Sequence, residues 1–445
     1  MEHITEPARP LPVITTVDVC VLGGSCTGVF AAIRAARMGC RVALVERLNC
    51  FGGTATAGMV NIWHSIHDTR FETQIIAGLT TETVERLERR QACIRRERNA
   101  NAGFILNTEE LKIELDEMVR EHDIVPFLHT MAVAPIRVGE RLSHVVIENK
   151  DGRQAIAARI FIDATGDGDL AAACAIPFII EAHPQPPTTC ARISGLQGLH
   201  IPTLWNRHRD EFAVPEDSGW NCEIPGSDTV RMHADTHVFG VDLSRADHLT
   251  FAEMEGRRLT RALMDMVRRH EPDRAQALCL MACASLIGIR ETRRFSAVHR
   301  LTEAEVLHGV RFDDAIANGS YRVDVHHPRG GGYLFRYLDG AEVSITAAGR
   351  VHGRWRAEIA EDPTFYQIPY RCLLHEAVPN LIMSGRMIAA DQPAFGAIRV
   401  MVNTNQTGEA AGVAAALACA GDCDPLAIDP QVLRHSLAQG GSIML

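Results

Sequence analysis

The chain has 445 residues, of which 46% are hydrophobic and 22% are charged. This composition is typical of a globular protein large enough for more than one lobe, and it excludes an intrinsically disordered chain. The 55 acidic residues outnumber the 45 basic ones, which gives a net charge of −10. Because nucleic-acid binding relies on clustered positive charge, we expect no nucleic-acid partner.

The 13 cysteines are scattered along the chain and lack the spacing of a disulfide framework or a zinc finger. We therefore predict no metal site. Residues 1–16 lack the apolar segment of a signal peptide, and no apolar run in the sequence is long enough to span a bilayer. These features predict a cytoplasmic protein without a membrane span, and they leave its oligomeric state open.

A strand, a glycine-rich loop, a helix and a second strand begin the organised part of the chain. Residues 17–22 predict a buried strand, residues 29–37 a helix and residues 41–45 the second strand. The loop after the first strand consists of Gly23, Gly24, Ser25, Cys26, Thr27 and Gly28. In a dinucleotide-binding βαβ unit, such a loop brings the backbone close to a pyrophosphate, whose charge the helix N-terminus stabilises. Ser25 replaces the second glycine of the fingerprint and hinders this approach slightly, whereas Gly24 keeps the turn flexible.

An acidic residue follows the second strand, where a ribose ligand is expected. The carboxylate of Glu46 can accept hydrogen bonds from both hydroxyls of an adenosine ribose. Its charge disfavours a 2′-phosphate, although the neighbouring Arg47 leaves room for one. A glycine pair comes next and lets a second stretch of backbone touch the pyrophosphate of an extended cofactor. The candidate cofactor-binding residues of this stretch are Gly52, Gly53, Thr54, Ala55 and Thr56.

The motifs GGSxxGxxAAxxAARxG, VALVER and GG followed by TATAG resemble the FAD-dependent oxidoreductases of the glutathione-reductase-type superfamily. More narrowly, they are similar to the branch related to fumarate-reductase and amine-oxidase flavoproteins. The resemblance implies FAD as the cofactor and an α/β fold. In that fold, an α+β substrate domain is inserted into a Rossmann-like FAD-binding domain made of a parallel sheet and a β-meander. We expect the FAD-binding domain at 1–175 and 356–445, and the substrate domain at 176–355.

Later segments carry the same resemblance in the expected order. A helix from Asn107 to about His122 precedes a meander of short strands at 131–158. A strand at 159–163 leads into small residues and an acid, and a small-residue helix at 407–416 can direct its N-terminal dipole at the flavin ring. The cofactor-binding residues that the resemblance implies here are Ala132, Ala164, Thr165, Gly166, Asp169, Gly385, Arg386, Met401 and Gly408.

The candidate catalytic residues come from the middle and the end of the chain. They are His326, His327, Arg290, Arg293 and Arg399. Imidazole titrates near neutral pH and suits the base that takes an O–H or N–H proton. Adjacent residues of an extended chain face opposite ways, so only one histidine can face a given pocket, and His326 shares its face with Asp324. The arginines suit a carboxylate clamp or an oxyanion site, or else an ionic network with Glu291 that holds two lobes together.

The middle segment also predicts strands at 189–193 and 237–241 and a long helix at 248–270. A second dinucleotide fingerprint is missing from the sequence. The glycine run at 330–332 follows His-Pro-Arg instead of an apolar strand, and it therefore predicts a flexible turn. We expect no separate NAD(P)H domain, which disfavours pyridine-nucleotide–disulfide chemistry.

The sequence predicts an FAD-dependent oxidoreductase that transfers hydride from a C–OH or C–N bond of a small polar molecule to the flavin. Oxygen or another acceptor then takes the electrons. Two alternatives stay open: reduction of an activated C=C bond with an arginine as proton donor, and a structural FAD in a protein that acts only with a partner. His64 and His67 are further candidates to approach the flavin, whereas Cys50 lacks a second cysteine at disulfide-reductase spacing. The substrate, the electron acceptor and covalent attachment of the flavin stay open.

Overall fold

The computed structural model describes residues 2–217, 219–327, 331–346 and 349–445. Its α-helices are α1 (Cys26–Arg37), α2 (Leu79–Arg89), α3 (Thr108–Arg120), α4 (Asp169–Ala173), α5 (Ile201–His208), α6 (Ala246–His270), α7 (Glu303–Leu307), α8 (Gln392–Ile398), α9 (Met401–Gly421) and α10 (Pro430–Gln439). Within the described residues, none of these helices combines the length and the apolar character that a membrane crossing requires.

The strands alternate with these helices along the chain and form several sheets. They are β1 (Val13–Leu22), β2 (Val42–Val45), β3 (Ile62–Trp63), β4 (Cys93–Arg95), β5 (Phe104–Leu106), β6 (Val125–Phe127), β7 (Met131–Val138), β8 (Arg141–Asn149), β9 (Gly152–Asp163), β10 (Phe178–Ile179), β11 (Ala191–Ser194), β12 (Trp220–Ile224), β13 (Ser227–Ala234), β14 (Cys279–Cys283), β15 (Arg294–Phe295), β16 (Ala315–Gly319), β17 (Val323–His326), β18 (Tyr333–Arg336), β19 (Ala341–Thr346), β20 (Gly349–Arg354), β21 (Tyr366–Pro369) and β22 (Leu381–Met383).

The main sheet has the order β6-β2-β1-β9-β8-β7, with β22 also paired to β9. β1, β2, β6 and β22 run parallel to their neighbours, whereas β7 and β8 form an antiparallel meander with β9. The fold is therefore α/β with a parallel sheet and a β-meander, which confirms the predicted fold class. The predicted strand at 159–163 is the second half of the single long strand β9. Its first half belongs to the meander, and its second half lies between β1 and β22.

The predicted elements differ from the observed ones mainly in their length. The first strand begins at Val13 rather than at residue 17, and the small-residue helix covers all of α9 rather than 407–416. Asn107 caps α3 as predicted, because its side chain accepts a hydrogen bond from the Glu109 N–H at 3.1 Å. The predicted strand at 237–241 is wrong: in the described chain this segment is irregular apart from a single bridge between His237 and Thr188.

The helices α1 and α9 pack against each other closely enough to exclude larger side chains. A Cβ at Gly412 would lie 2.1 Å from the Ala31 carbonyl oxygen, and one at Gly408 would lie 2.1 Å from the Thr27 carbonyl oxygen. A buried ion pair joins the same two helices, since Arg34 Nε donates to Glu409 Oε2 at 2.8 Å. The end of the chain therefore completes the βαβ unit at its beginning.

Two large apolar clusters contain most of the buried side chains. One extends over both ends of the chain and includes buried residues from 301–323. The other draws its buried residues from 191–289. If the domains were assigned from these two clusters, the inserted domain would therefore end before residue 301 rather than at residue 355. The division into domains at 176 and 355 stays a prediction.

Candidate active site

A cavity of about 550 Å³ lies at the carboxyl ends of β1, β2 and β9. This is the edge of a parallel sheet where ligands bind in open α/β folds. Fifteen of the predicted cofactor-binding residues line it. They are Gly23, Ser25, Cys26, Thr27, Glu46, Arg47, Gly52, Gly53, Thr54, Ala164, Thr165, Gly166, Gly385, Arg386 and Met401.

The remaining predicted cofactor-binding residues lie behind this surface or apart from it. They are Gly24, Gly28, Ala55, Thr56, Ala132, Asp169 and Gly408, none of which is among the described lining residues. Some of them support the wall: the Gly24 N–H donates to Glu46 Oε2 at 2.6 Å, and Thr56 Oγ1 donates to the Phe51 carbonyl at 2.5 Å. Ala132 instead lies in β7, in the meander of the main sheet, and packs against a separate apolar cluster.

The two glycine segments meet at the N-terminus of α1. Ser25 forms a bridge with Gly52, and a Cβ at Gly53 would lie 3.0 Å from the Ser25 Cβ. Ser25, which replaces the fingerprint glycine, caps α1 by accepting a hydrogen bond from the Gly28 N–H. The backbone of both segments and the first turn of α1 thus face the cavity together, as an extended dinucleotide requires.

These residues fit FAD along the whole length of the cavity. Glu46 lines it, with Oε1 accepting from the Leu48 N–H at 2.8 Å, and its carboxylate suits the ribose hydroxyls. The first turns of α9 also line it, through Met401, Thr404 and Asn405. The buried Asn405 Oδ1 has no hydrogen-bond partner in the described part of the chain, so a polar ligand beside α9 would satisfy it.

Asp167, which the sequence analysis did not select, is the acid that lines the cavity after β9. It pairs with Arg386 and accepts from Thr292 Oγ1 at 2.7 Å. Burial alone would raise the pKa of Asp167, but the positive charge of Arg386 and the Thr292 hydrogen bond hold that pKa below its ordinary value. The predicted Asp169 instead begins α4 and pairs with Arg293 at 3.1 Å.

His326 lies in the cavity wall beside a carboxylate. Its Nε2 is 3.6 Å from Oδ1 of Asp324, and Oδ2 of Asp324 accepts from the Tyr321 hydroxyl at 2.5 Å. Burial, followed by the positive charges of Arg290, His237 and Arg399, holds the pKa of His326 well below its usual value. The imidazole is therefore neutral at pH 7.

The other candidate catalytic residues separate into two groups. Arg290 and Arg399 line the cavity with His326. His327 and Arg293 are not among the described lining residues, and Arg293 belongs to the ionic contacts at the start of α4. Glu291 pairs instead with Arg294 in a buried contact. Within the described residues, Arg290, Arg293 and Arg399 form no ion pair with Glu291, so the predicted network is not observed. Of the glycine turn at 330–332, Gly330 lies outside the described residues, as does Pro328 beside the two histidines.

The candidates beside the glycine pair are placed differently from one another. His64 lines the cavity, with its ring edge-on to Tyr321 at a centroid distance of 4.3 Å. His67 contacts Ser320 through its carbonyl group and lies apart from the described lining. Cys50 is buried, and burial raises the pKa of its thiol, which makes it a poor nucleophile.

His237 is a second histidine beside His326 that the sequence did not indicate. Its ring centroid lies 5.4 Å from that of His326, and its Nδ1 is 2.6 Å from Oδ1 of Asp217. Asp217 also accepts from the His237 N–H at 2.7 Å. The two residues are 20 positions apart, on either side of the hairpin formed by β12 and β13, so neither spacing nor periodicity reveals the pair.

The cavity thus combines the glycine segments of a dinucleotide site with two histidines, His64 and His326, and with Arg290, Arg322 and Arg399. A model of the FAD dependent oxidoreductase family matches residues 18–437. The chain therefore belongs to the FAD dependent oxidoreductase family, and it is an FAD-dependent enzyme.

Comparison with solved structures gives only distant similarities. A geranylgeranyl bacteriochlorophyll reductase-like protein from Thermoplasma acidophilum is 12% identical, with coverage of 96% of this chain and 83% of that one and a TM-score of 0.46. The flavin-dependent brominase Bmp2 is 12% identical, with coverage of 96% and 84% and a TM-score of 0.47. The p-nitrophenol 4-monooxygenase PnpA from Pseudomonas putida DLL-E4 is 10% identical, with coverage of 64% and 70% and a TM-score of 0.39. No curated protein matches the sequence.

Proposed function

We propose that this enzyme oxidises a C–OH or C–N bond of a small polar molecule, with oxygen or another acceptor taking the electrons. The observation that carries the proposal is His326, a buried imidazole held neutral in the cavity wall 3.6 Å from Asp324. Bound FAD supplies the acceptor for the substrate hydride. The glycine motifs support a place in the glutathione-reductase-type superfamily, and the scattered cysteines support a reducing, cytoplasmic location.

His326 performs the acid–base part of the reaction. The imidazole accepts the proton that leaves the substrate O–H or N–H as the C–H bond is broken. Asp324 then stabilises the imidazolium, since its Oδ1 lies beside Nε2 of His326 and its Oδ2 is fixed by Tyr321. Arg290 and Arg399, which line the same cavity, orient polar groups of the substrate.

The alternative reaction, reduction of an activated C=C bond, needs a proton donor in place of a base. Burial, together with the nearby charge of Arg399, lowers the pKa of Arg290 to about 10. A guanidinium with a lowered pKa gives up its proton more readily than an ordinary arginine. This observation supports Arg290 as the proton donor in the second candidate function.

The test begins with the visible spectrum of the purified protein before and after acid precipitation, which shows whether the flavin is present and whether it is covalently bound. Candidate alcohols and amines are then mixed anaerobically with the oxidised holoenzyme, and loss of flavin absorbance is followed. Reduction by a member of either group supports the proposal. Chemically reduced enzyme that is reoxidised only by activated alkenes supports C=C reduction. A flavin that reacts with neither class is structural, and both proposals are then wrong.

The His326→Asn variant tests the assigned base. We expect the rate of flavin reduction to fall by about 10²–10⁴-fold, because the assigned general base is then missing. The rate in the parent enzyme should stay constant near pH 7 and fall only in acid, since the pKa of His326 is lowered and protonation removes the base. His327→Gln is the matched comparison; an equal loss in both variants would contradict the assignment.

A further inference from the structure

Three arginines of the cavity lining lie close enough to Asp324 to interact with its charge, and Asp324 is the one carboxylate of the described lining that they share. These arginines are Arg290, Arg322 and Arg399. By contrast, Arg386, which also lines the cavity, forms an ion pair with the carboxylate of Asp167. The pocket therefore has more positive charge than its own acidic residues neutralise.

The hydrogen bonds of Arg290 go to neutral acceptors. Its NH1 group donates to the Pro186 carbonyl at 2.6 Å and to Thr188 Oγ1. These contacts fix one side of the guanidinium without neutralising its charge. A buried cation without a counter-charge raises the free energy of the folded protein, and a ligand that supplies the opposite charge removes this cost.

Arg399 is only loosely associated with Asp324. Its NH2 group lies 3.5 Å from the Asp324 carbonyl and 3.8 Å from Oδ2, which the Tyr321 hydroxyl already approaches at 2.5 Å. Its buried Nε has no hydrogen-bond partner within the described ranges of the chain. Arg399 thus keeps donor capacity for a bound acceptor.

Arg322 also lines the cavity, and its guanidinium packs against aromatic rings. Its guanidinium carbon lies 4.0 Å from the centroid of Phe335 and 4.9 Å from that of Tyr321. The positive charges also affect the neighbouring imidazole: burial first, and then Arg322, lowers the pKa of His64 to about 3. The pocket thus combines a positive potential with aromatic faces, a pairing that suits an organic anion.

We propose that the substrate is an organic acid whose carboxylate is bound by Arg290 and Arg399. The planar fork of a guanidinium matches the two oxygens of a carboxylate, and two arginines facing one pocket lose their mutual repulsion when the anion binds. The inference rests on the proposed function and names its substrate class: a hydroxy acid or an amino acid is oxidised at the carbon beside His326.

Binding is tested on the oxidised holoenzyme, without turnover. Benzoate, benzamide and phenyl phosphate form one matched series, and acetate and acetamide form a smaller one. Each probe is titrated while the visible spectrum of the bound flavin is recorded. We expect at least one carboxylate to perturb the spectrum with a Kd at least 10-fold lower than that of its amide. Equal affinities, no response to either carboxylate, or a response to phenyl phosphate alone would overturn the proposal.

Arginine variants identify the binding groups. Arg290→Gln and Arg399→Gln should each raise the Kd of the carboxylate at least 10-fold without changing that of the amide, and Arg290→Lys should recover part of the loss. Arg371→Gln is the control for net charge, because Arg371 pairs with Asp314 at 2.9 Å and is not among the described lining residues. If the Gln variants change the flavin reduction potential but leave the carboxylate Kd unaltered, the arginines stabilise the reduced flavin instead of binding the substrate. The inference is then wrong.

The binding result and the function result can be read separately. Carboxylate binding that depends on Arg290 and Arg399 supports the substrate class even if no alcohol or amine reduces the flavin. Oxidation of neutral substrates together with equal binding of acid and amide would preserve the proposed function and overturn the substrate class.

Discussion

His64 is a buried histidine whose ring nitrogen Nδ1 has no hydrogen-bond partner in the described chain. Burial and the charge of Arg322 lower its pKa to about 3, against an ordinary value of 6.5. Between these two pH values the unfolded chain binds a proton at this residue and the folded protein does not, so stability falls as the pH is lowered through this window. The full contribution of neutral His64 is present above pH 6.5.

We predict that His64→Leu is less sensitive to acid than the parent protein. Between pH 7 and pH 5, the parent should lose about 2 kcal/mol more unfolding free energy than the variant, at ~1.4 kcal/mol per pH unit below 6.5. Denaturant unfolding at both pH values with excess FAD measures the difference. His352→Leu, at an exposed position on β20, should behave like the parent. Identical acid sensitivity in His64→Leu and the parent would contradict the prediction.

Residues that act through local backbone geometry were predictable, and residues that act through tertiary contact were not. Gly23, Gly52 and Glu46 follow from the strand and turn pattern, because a dinucleotide loop needs them at fixed positions. Asp167 and Asp169 flank Gly168, and only the packing of Arg386 distinguishes them. The same limit explains why the pairing of His237 with Asp217 had no signal in the sequence.

The contact between α1 and α9 depends on small side chains. The Gly412→Ala variant gains helix propensity of roughly 1 kcal/mol, but its Cβ would lie 2.1 Å from the Ala31 carbonyl oxygen. We expect a net loss of about 1–3 kcal/mol, because overpacking forces the two backbones apart. FAD affinity should fall as well, since the first turn of α1 faces the cofactor cavity. Thermal unfolding and the content of bound flavin measure both effects.

Gly421→Ala is the matched control in the same helix. A Cβ there would lie 3.4 Å from Cys423 Sγ, and the substitution should leave both stability and flavin content near those of the parent. Equal stability and equal flavin content in the Gly412 and Gly421 variants would contradict the prediction that the contact between α1 and α9 requires glycine at position 412.

The existence of an element was easier to predict than its role in the sheet. The alternation at 131–158 indicates strands, but it does not show that the last of them continues without a break into the parallel sheet as β9. The apolar segment at 237–241 has a strand-like composition. Its backbone nonetheless stays irregular, and the Asp217 contacts hold the His237 end of the segment.

The cavity is built by segments from both ends of the chain and from the inserted part. We therefore expect FAD to stabilise the whole molecule, with about 2.7 kcal/mol gained at a free concentration 100 times the Kd. Thermal unfolding of apoprotein against an FAD series measures this gain. FMN should stabilise less, because it leaves the Glu46 end unfilled. An unfolding temperature that is independent of FAD would contradict the prediction.

The contact between α1 and α9 also has a consequence for biosynthesis. The face of α1 that carries Thr27 and Ala31 is covered by a helix near the other end of the chain. At about 5–20 residues per second, α9 leaves the ribosome on the order of 20 to 75 s after α1. Throughout that interval the nascent βαβ unit lacks α9. A chain that ends before residue 401 therefore cannot bury this face of α1, whose first turn faces the dinucleotide site.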